Sequence, residues 1–166
     1  MANKQRSCSI MVFADYRQVY VHDASFDFAA SAADWFDWTG TNAENRVAAA
    51  PGMLNICTAR NVDVQVRIEV FDAEPPLDVE AWDQVVEAGI ALSSGQLTVS
   101  SPLGENALSL AVDQGQYCSR VFFGGLHTLS DDGLLGQDHY LVQLWPGRFD
   151  GVAIRKRDLV SCGGFG

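Results

Sequence analysis

Apolar side chains recur at every second position in short runs along this chain. In residues 62–71, Val62, Val64, Val66, Ile68 and Val70 alternate with Asp63, Gln65, Arg67, Glu69 and Phe71. A period of two sends alternate side chains to opposite faces, so this run predicts a strand with one buried and one largely wet face. Further strands are predicted over 9–13 and 18–22, around a turn-like Ala-Asp-Tyr-Arg, and over 54–58, 96–100, 107–112, 117–123 and 139–145. In the last, Tyr140, Val142 and Leu144 oppose His139, Leu141, Gln143 and Trp145, which predicts partial cover on both faces. Pro51-Gly52, Pro75-Pro76, Ser94-Gly95, Asp113-Gln114-Gly115, Asp132-Gly133 and Pro146-Gly147 punctuate these runs with turn chemistry. Residues 29–38 and 79–92 are ambiguous, and the second is read as a strand with a bulge rather than a helix. Many short strands with frequent turns predict an all-β, single-domain antiparallel β-sandwich, jelly-roll-like, with at most short helical turns. The domain is expected over 1–160, followed by a flexible C-terminal tail over 161–166.

Composition supports a packed core. The chain has 166 residues, 48% of them hydrophobic, and a net charge of −10. Charge changes the picture more. Between Arg67 and Arg120 there is no lysine or arginine, yet Glu69, Asp72, Glu74, Asp78, Glu80, Asp83, Glu87, Glu105 and Asp113 lie there. Residues 18–45 repeat the bias with Asp23, Asp27, Asp34, Asp37 and Glu44. Unneutralised surface carboxylates speed encounter with a basic partner and repel nucleic acid and anionic membrane. The one basic run, Arg155-Lys156-Arg157, is too short to reverse that balance. The N-terminal apolar run Ile10 to Phe13 ends near Asp15 and is too short for a signal-peptide core. No stretch approaches the ~18 apolar residues of a membrane span. A soluble cytoplasmic protein is the resulting expectation.

Chemistry-bearing residues are sparse. Cys8, Cys57, Cys118 and Cys162 are widely spaced with no C-x-x-C pair, so they are read as reduced structural thiols rather than zinc ligands. His127 with Ser130 and Asp131 lacks the geometry signalled by a nucleophile elbow, and no catalytic residue is assigned. The loop Ser130 to His139 carries Asp131, Asp132 and Asp138 and admits two readings, a calcium site or a β-turn at Asp132-Gly133. The glycine pairs Gly124-Gly125 and Gly163-Gly164 lack the helix and lysine of a phosphate loop. Neither cofactor nor metal is expected. The aromatic cluster Trp35, Phe36 and Trp38 sits among acids and suits a protein interface, sugar stacking, or a hydrophobic plug over the sandwich.

The tract Asp78-Val79-Glu80-Ala81-Trp82-Asp83-Gln84-Val85-Val86-Glu87-Ala88-Gly89-Ile90-Ala91, followed by Ser94-Gly95 and Gln96-Leu97-Thr98-Val99, resembles the central tract of the competence protein J family. Asp138-His139-Tyr140-Leu141-Val142-Gln143-Leu144-Trp145-Pro146 is similar to strands of related small bacterial proteins. The resemblance covers about half the chain and departs from the family over 23–51. It implies a compact β-sandwich and inhibition of a partner nuclease, as toxin-blocking immunity proteins also do. The combined expectation is an acidic interaction protein, not an enzyme, that neutralises a basic toxin or nuclease. Trp35, Asp37, Trp38, Asp78, Glu80, Trp82 and Asp83 are the expected partner-binding residues. The alternative is a calcium- or carbohydrate-binding β-sandwich module.

Overall fold

A computed structural model describes residues 2–30, 33–104 and 106–158. Eleven strands form two sheets. They are β1 (Lys4–Phe13), β2 (Gln18–Asp23), β3 (Val47–Ala50), β4 (Met53–Cys57), β5 (Asp63–Phe71) and β6 (Gln84–Leu92), then β7 (Gln96–Ser100), β8 (Asn106–Ala111), β9 (Gly115–Gly124), β10 (His139–Pro146) and β11 (Val152–Lys156). The first sheet has the order β1-β5-β10-β9-β6-β11 and the second β3-β4-β2-β7-β8. One helix, α1 (Gly40–Asn45), and two short 3-10 turns, Asp15–Arg17 and Ala33–Phe36, complete the described elements.

The alternation seen in the sequence builds the core. Val64, Val66 and Ile68 of β5 are fully buried, and so are Val19 and Val21 of β2 and Leu54 and Ile56 of β4. These side chains belong to one hydrophobic cluster between the sheets. Each such side chain contributes about 1.5–3 kcal/mol on leaving water. The intervening residues face outward, where they meet solvent or covering loops. On β10, Tyr140, Val142 and Leu144 are buried while His139, Leu141 and Gln143 are half-buried, as two-sided cover requires.

Several expectations need correction. Pairing is antiparallel except between β5 and β10, which run parallel with Tyr140 beside Val66 and Val142 beside Ile68. The bulge expected in 79–92 does not interrupt β6 against β9, whose register is continuous from Gln84 to Leu92. The irregularity lies instead on β11, between Ile154 and Lys156. Strands β3 and β11 were not expected, because Val47-Ala-Ala-Ala lacks alternation and Ile154 is followed by the basic run. Cys8 and Cys118 are free thiols. Cys57 is disulfide-bonded, which corrects the expectation of reduced cysteines: spacing along a chain does not reveal which sulfurs folding brings together. Cys162, Glu105 and the tail 161–166 lie outside the described residues. Among the described residues no helix is long and apolar enough to cross a membrane.

Candidate functional site

The outer face of the second sheet carries Gln18, Tyr20 and His22 from β2, residues that alternate with the core valines. They are buried because residues 24–30 and 33–45 fold over them as a cap. Trp35 is the centre of this cap: its ring meets Tyr20, Phe26, Phe28 and Phe36 edge-on at centroid distances of 5.6, 6.1, 5.5 and 5.5 Å. Asn55 on β4 donates through Nδ2 to the Trp35 carbonyl and to Gln18 Oε1, both at 2.8 Å. Trp35 is half-buried and packs into the aromatic cluster of the cap. His22 is held at Nδ1 by the Asp23 carbonyl (2.8 Å) and at Nε2 by Ser100 Oγ (3.0 Å). Burial pushes its pKa down, so it is neutral and structural.

Asp23 pins the start of the cap. Its Oδ2 accepts from Ser25 N and Ser25 Oγ, and its Oδ1 accepts from Ser94 N (3.1 Å) and Ser94 Oγ (2.7 Å). Burial works to raise its pKa, but these hydrogen bonds outweigh it and hold the value below the usual 3.8. A carboxylate depressed in the fold stabilises above its unfolded pKa and loses that stabilisation as pH falls through the folded one. Asp23→Asn is expected to cost ~1–3 kcal/mol near neutral pH and to flatten this part of the acid dependence. Urea unfolding across the acid range checks it.

Beyond Trp35 the cap opens. Phe36 is 58% exposed, and on the neighbouring turn Tyr16 is 63% exposed. These two, with Gln18, Tyr20, Trp38, Thr39 and Pro102, line an open cleft of about 660 Å³. Tyr20 forms part of its buried wall, and burial pushes its phenol up to about 12, so the ring stays neutral. Asp37 is exposed between Phe36 and Trp38. Its Oδ1 accepts from Thr39 N (3.0 Å) and Thr39 Oγ1 (2.6 Å). Tyr16 and Arg17 both hold left-handed backbone conformations, φ 56° and 58°. Each costs about 1–2 kcal/mol in a residue other than glycine.

The other expected binding residues lie on the opposite layer. Trp82 rests over the outer face of the first sheet, its ring 5.1 Å from Phe122 and 5.2 Å from His139. Gly124 permits this, since a Cβ there would strike the His139 imidazole and crowd Trp82. Asp83 accepts from Leu126 N at 2.8 Å and donates its own amide to the Phe123 carbonyl, a structural role. Asp78 accepts the amide of Glu80 at 3.1 Å in an exposed turn. Thus Trp35, Asp37 and Trp38 fall on one side of the sandwich, and Asp78, Glu80, Trp82 and Asp83 on the other.

Folding pairs three carboxylates of the acidic stretch, Glu69, Glu74 and Glu87, with bases. Register aligns Glu69, Gln143, Arg120 and Glu87 across β5, β10, β9 and β6. Arg120, 2% exposed, bonds Glu87 Oε1 (3.4 Å), Glu74 Oε1 (3.2 Å) and the Pro75 carbonyl (3.0 Å). It lies 4.7 Å over the Trp145 ring. Arg155 pairs with Glu87 at 2.7 Å, and Lys4 and Arg67 pair with Glu69 at 2.7 and 3.1 Å. Bases from strands distant in sequence thus reach Glu69 and Glu87 of this stretch, while Asp72, Asp78, Glu80 and Asp113 stay exposed.

The remaining candidates resolve as structural. Asp132 accepts from Ser130 Oγ and the Leu134 amide, at 2.6 and 3.0 Å, making the expected turn. Asp138 is buried against Arg60 and accepts the Tyr140 hydroxyl at 2.6 Å, so the loop's acids do not converge. Among the described residues no group of three His, Cys, Asp or Glu side chains is placed to hold a metal. His127 pairs with Asp158 at 2.7 Å rather than with Ser130 or Asp131. That contact raises its pKa. His139 is bonded to the Gln137 carbonyl at 2.9 Å. Sequence reasoning missed Tyr16, Tyr20 and Pro102 as parts of the cleft; alternation identifies Tyr20 as outward-facing, but nothing local brings the three together.

No known protein family matches the chain, and no curated protein matches it. Two solved structures share its fold. One is ComJ from Bacillus subtilis, inhibitor of the DNA-degrading activity of NucA. It superposes with TM-score 0.64 at 17% identity, over 89% of this chain and 99% of that one. The other is the protein described as crocagin biosynthetic gene J, with TM-score 0.57 and 19% identity over 86% of this chain and 98% of that one. The all-β sandwich described above is therefore one that a nuclease inhibitor also uses.

Proposed function

We propose that this chain acts by binding rather than by catalysis, as an inhibitor of a DNA-degrading nuclease, through the aromatic cleft beside the cap. The observation that carries this reading is the exposure of Tyr16 and Phe36 around an open cleft, on a fold shared with an inhibitor of such a nuclease. Clustered aromatic side chains provide most of the energy at protein interfaces, and soluble proteins seldom leave them exposed without a partner. The histidines support the same reading, because each is engaged in the structural contacts given above. A basic partner fits the net charge of −10.

The test is titration of a NucA-type nuclease from the same source genome with the purified chain, following DNA degradation. Saturating inhibition at an equimolar ratio is the expected result; full nuclease activity at large molar excess overturns the reading. Asp78→Lys with Glu80→Lys is expected to alter inhibition less than about fivefold, since exposed rim charges far from a contact contribute ~0–1 kcal/mol. An effect as large as that of cleft substitutions would move the docking surface to the other sheet.

A further inference from the structure

We propose that the free edge of β1 pairs antiparallel with β1 of a second copy of this chain, joining the two six-stranded sheets across a two-fold axis. Among the described residues β1 pairs with β5 alone and ends its sheet. It is ten residues long, against four, six and five for the other edge strands, β3, β8 and β11. Proteins guard such edges with charge, proline, a bulge or short length. β11 has an irregular register and the pair Arg155-Lys156. On β1 the irregularity and both charges, Lys4 and Arg6, fall at the start. Ser7 to Phe13 is left regular, uncharged and free of proline.

Backbone groups on this edge are aimed for pairing. The Ala14 amide donates to the Val62 carbonyl at 3.0 Å, one step beyond the pairing of Phe13 with Asp63. Bonded and non-bonded pairs alternate along an antiparallel ladder, so Val12, Ile10 and Cys8 bond β5. The amides and carbonyls of Ser7, Ser9, Met11 and Phe13 therefore point to the open side. Side chains here are apolar and incompletely covered. Met11 and Phe13 are 59% and 44% exposed. Ile10 is half-buried against the core, as are Ala107, Leu108 and Leu110 of β8, the edge strand that β1 approaches from the other sheet.

Charge selects a second copy as the occupant. In a chain of net charge −10, residues 2–14 carry two bases and no acid, so two copies can meet here without apposing carboxylates. Centring the pair on Ile10 sets the uncharged run against itself, Ser7 opposite Phe13 and Ser9 opposite Met11, with outward side chains meeting outward ones. The Lys4 and Arg6 end of each copy then lies beside Ala14 and Asp15 of the other, with Asp63 on the adjoining strand. The ends attract, and the middle is neutral.

The test is light scattering and sedimentation of the purified chain across a range of concentrations. A concentration-dependent species of twice the 18.0 kDa chain mass is expected. Ser9→Lys with Met11→Lys, and separately Ser9→Glu with Met11→Glu, put like charges opposite each other across the axis, at positions exposed in the single chain. Each double variant is expected to weaken the dimer about tenfold or more, and an equimolar mixture of the two to restore it as a heterodimer. Exchange of the Ser7, Ser9 and Met11 amides in the parent is expected to slow as the dimer forms, a readout that needs no variant. A monomer at every concentration overturns the proposal, as does a dimer that both variants leave intact. A monomer whose β1 amides gain protection only with nuclease bound would give the edge to a strand of that partner, and overturns it too. Because the chain is measured alone, the outcome is independent of nuclease inhibition.

Discussion

Truncating Trp38 to alanine is expected to weaken binding of the nuclease by ~2–4 kcal/mol, or roughly 30- to 1,000-fold in Kd. The argument is geometric. Trp38 is half-buried, so part of its surface already rests on the protein while the rest borders the cleft with Tyr20 and Pro102. A partner side chain entering there would complete the burial of a large ring, the situation in which interface residues matter most. Because Trp38 also supports the cap, the loss must be separated from unfolding. Phe36→Ser serves that purpose, since a 58% exposed ring contributes little to the fold. It is expected to weaken binding while leaving the urea midpoint within about 0.5 kcal/mol of the parent. Calorimetric titration of both variants, with urea unfolding of each, checks the pair.

The largest effect on stability is expected at Arg120. Arg120→Ala would strand Glu87, which is 3% exposed, with Arg155 as its remaining cationic partner, and would remove the donors to Glu74 and to the Pro75 carbonyl. Removing one member of a buried ion pair costs up to about 3–5 kcal/mol. Arg155, bonded to both Glu87 oxygens at 2.7 and 3.4 Å, keeps part of that compensation, so a loss of ~2–3 kcal/mol is expected. For a domain whose total stability is on the order of 5–15 kcal/mol, that is a large fraction. The double substitution Arg120→Met with Glu87→Leu is expected to recover much of the loss, since apolar groups of similar volume need no partner. Urea unfolding of the single and double variants reads this as a double-mutant cycle. A single variant as stable as the parent would show that the Arg120 network is dispensable.

The contrast between Arg120 and the cleft shows what a sequence can display. Alternation along β5 and β10 was legible because burial on one face of a strand leaves a period of two whatever the partner strands are. The parallel pairing of those same strands was not, since it depends on which edge of β5 is free when β10 arrives. Charge was legible only in part for the same reason. A stretch without bases from Arg67 to Arg120 looks anionic when read linearly, yet Arg155 and Lys4 reach Glu87 and Glu69 from strands far away in the chain. Trp35 and Trp38, three residues apart, looked like one cluster. The fold gives them different work: Trp35 seals Tyr20 and Phe28 beneath the cap, while Trp38 borders open space. Tyr16, at the other side of that space, comes from a turn whose left-handed backbone no tyrosine would announce. The cleft is thus a product of topology, and its residues become recognisable as a group only once the cap has closed over β2.

Hydrogen–deuterium exchange of the chain, free and bound to the nuclease, tests the central claim most directly, because it locates the covered surface without assuming it. The account predicts slowed exchange over the turn and strand from Asp15 to Tyr20 and over the cap from Phe36 to Thr39, with the 78–83 loop unchanged. Protection confined to that loop and the outer face of the first sheet, with the cap exchanging as in the free chain, would contradict it.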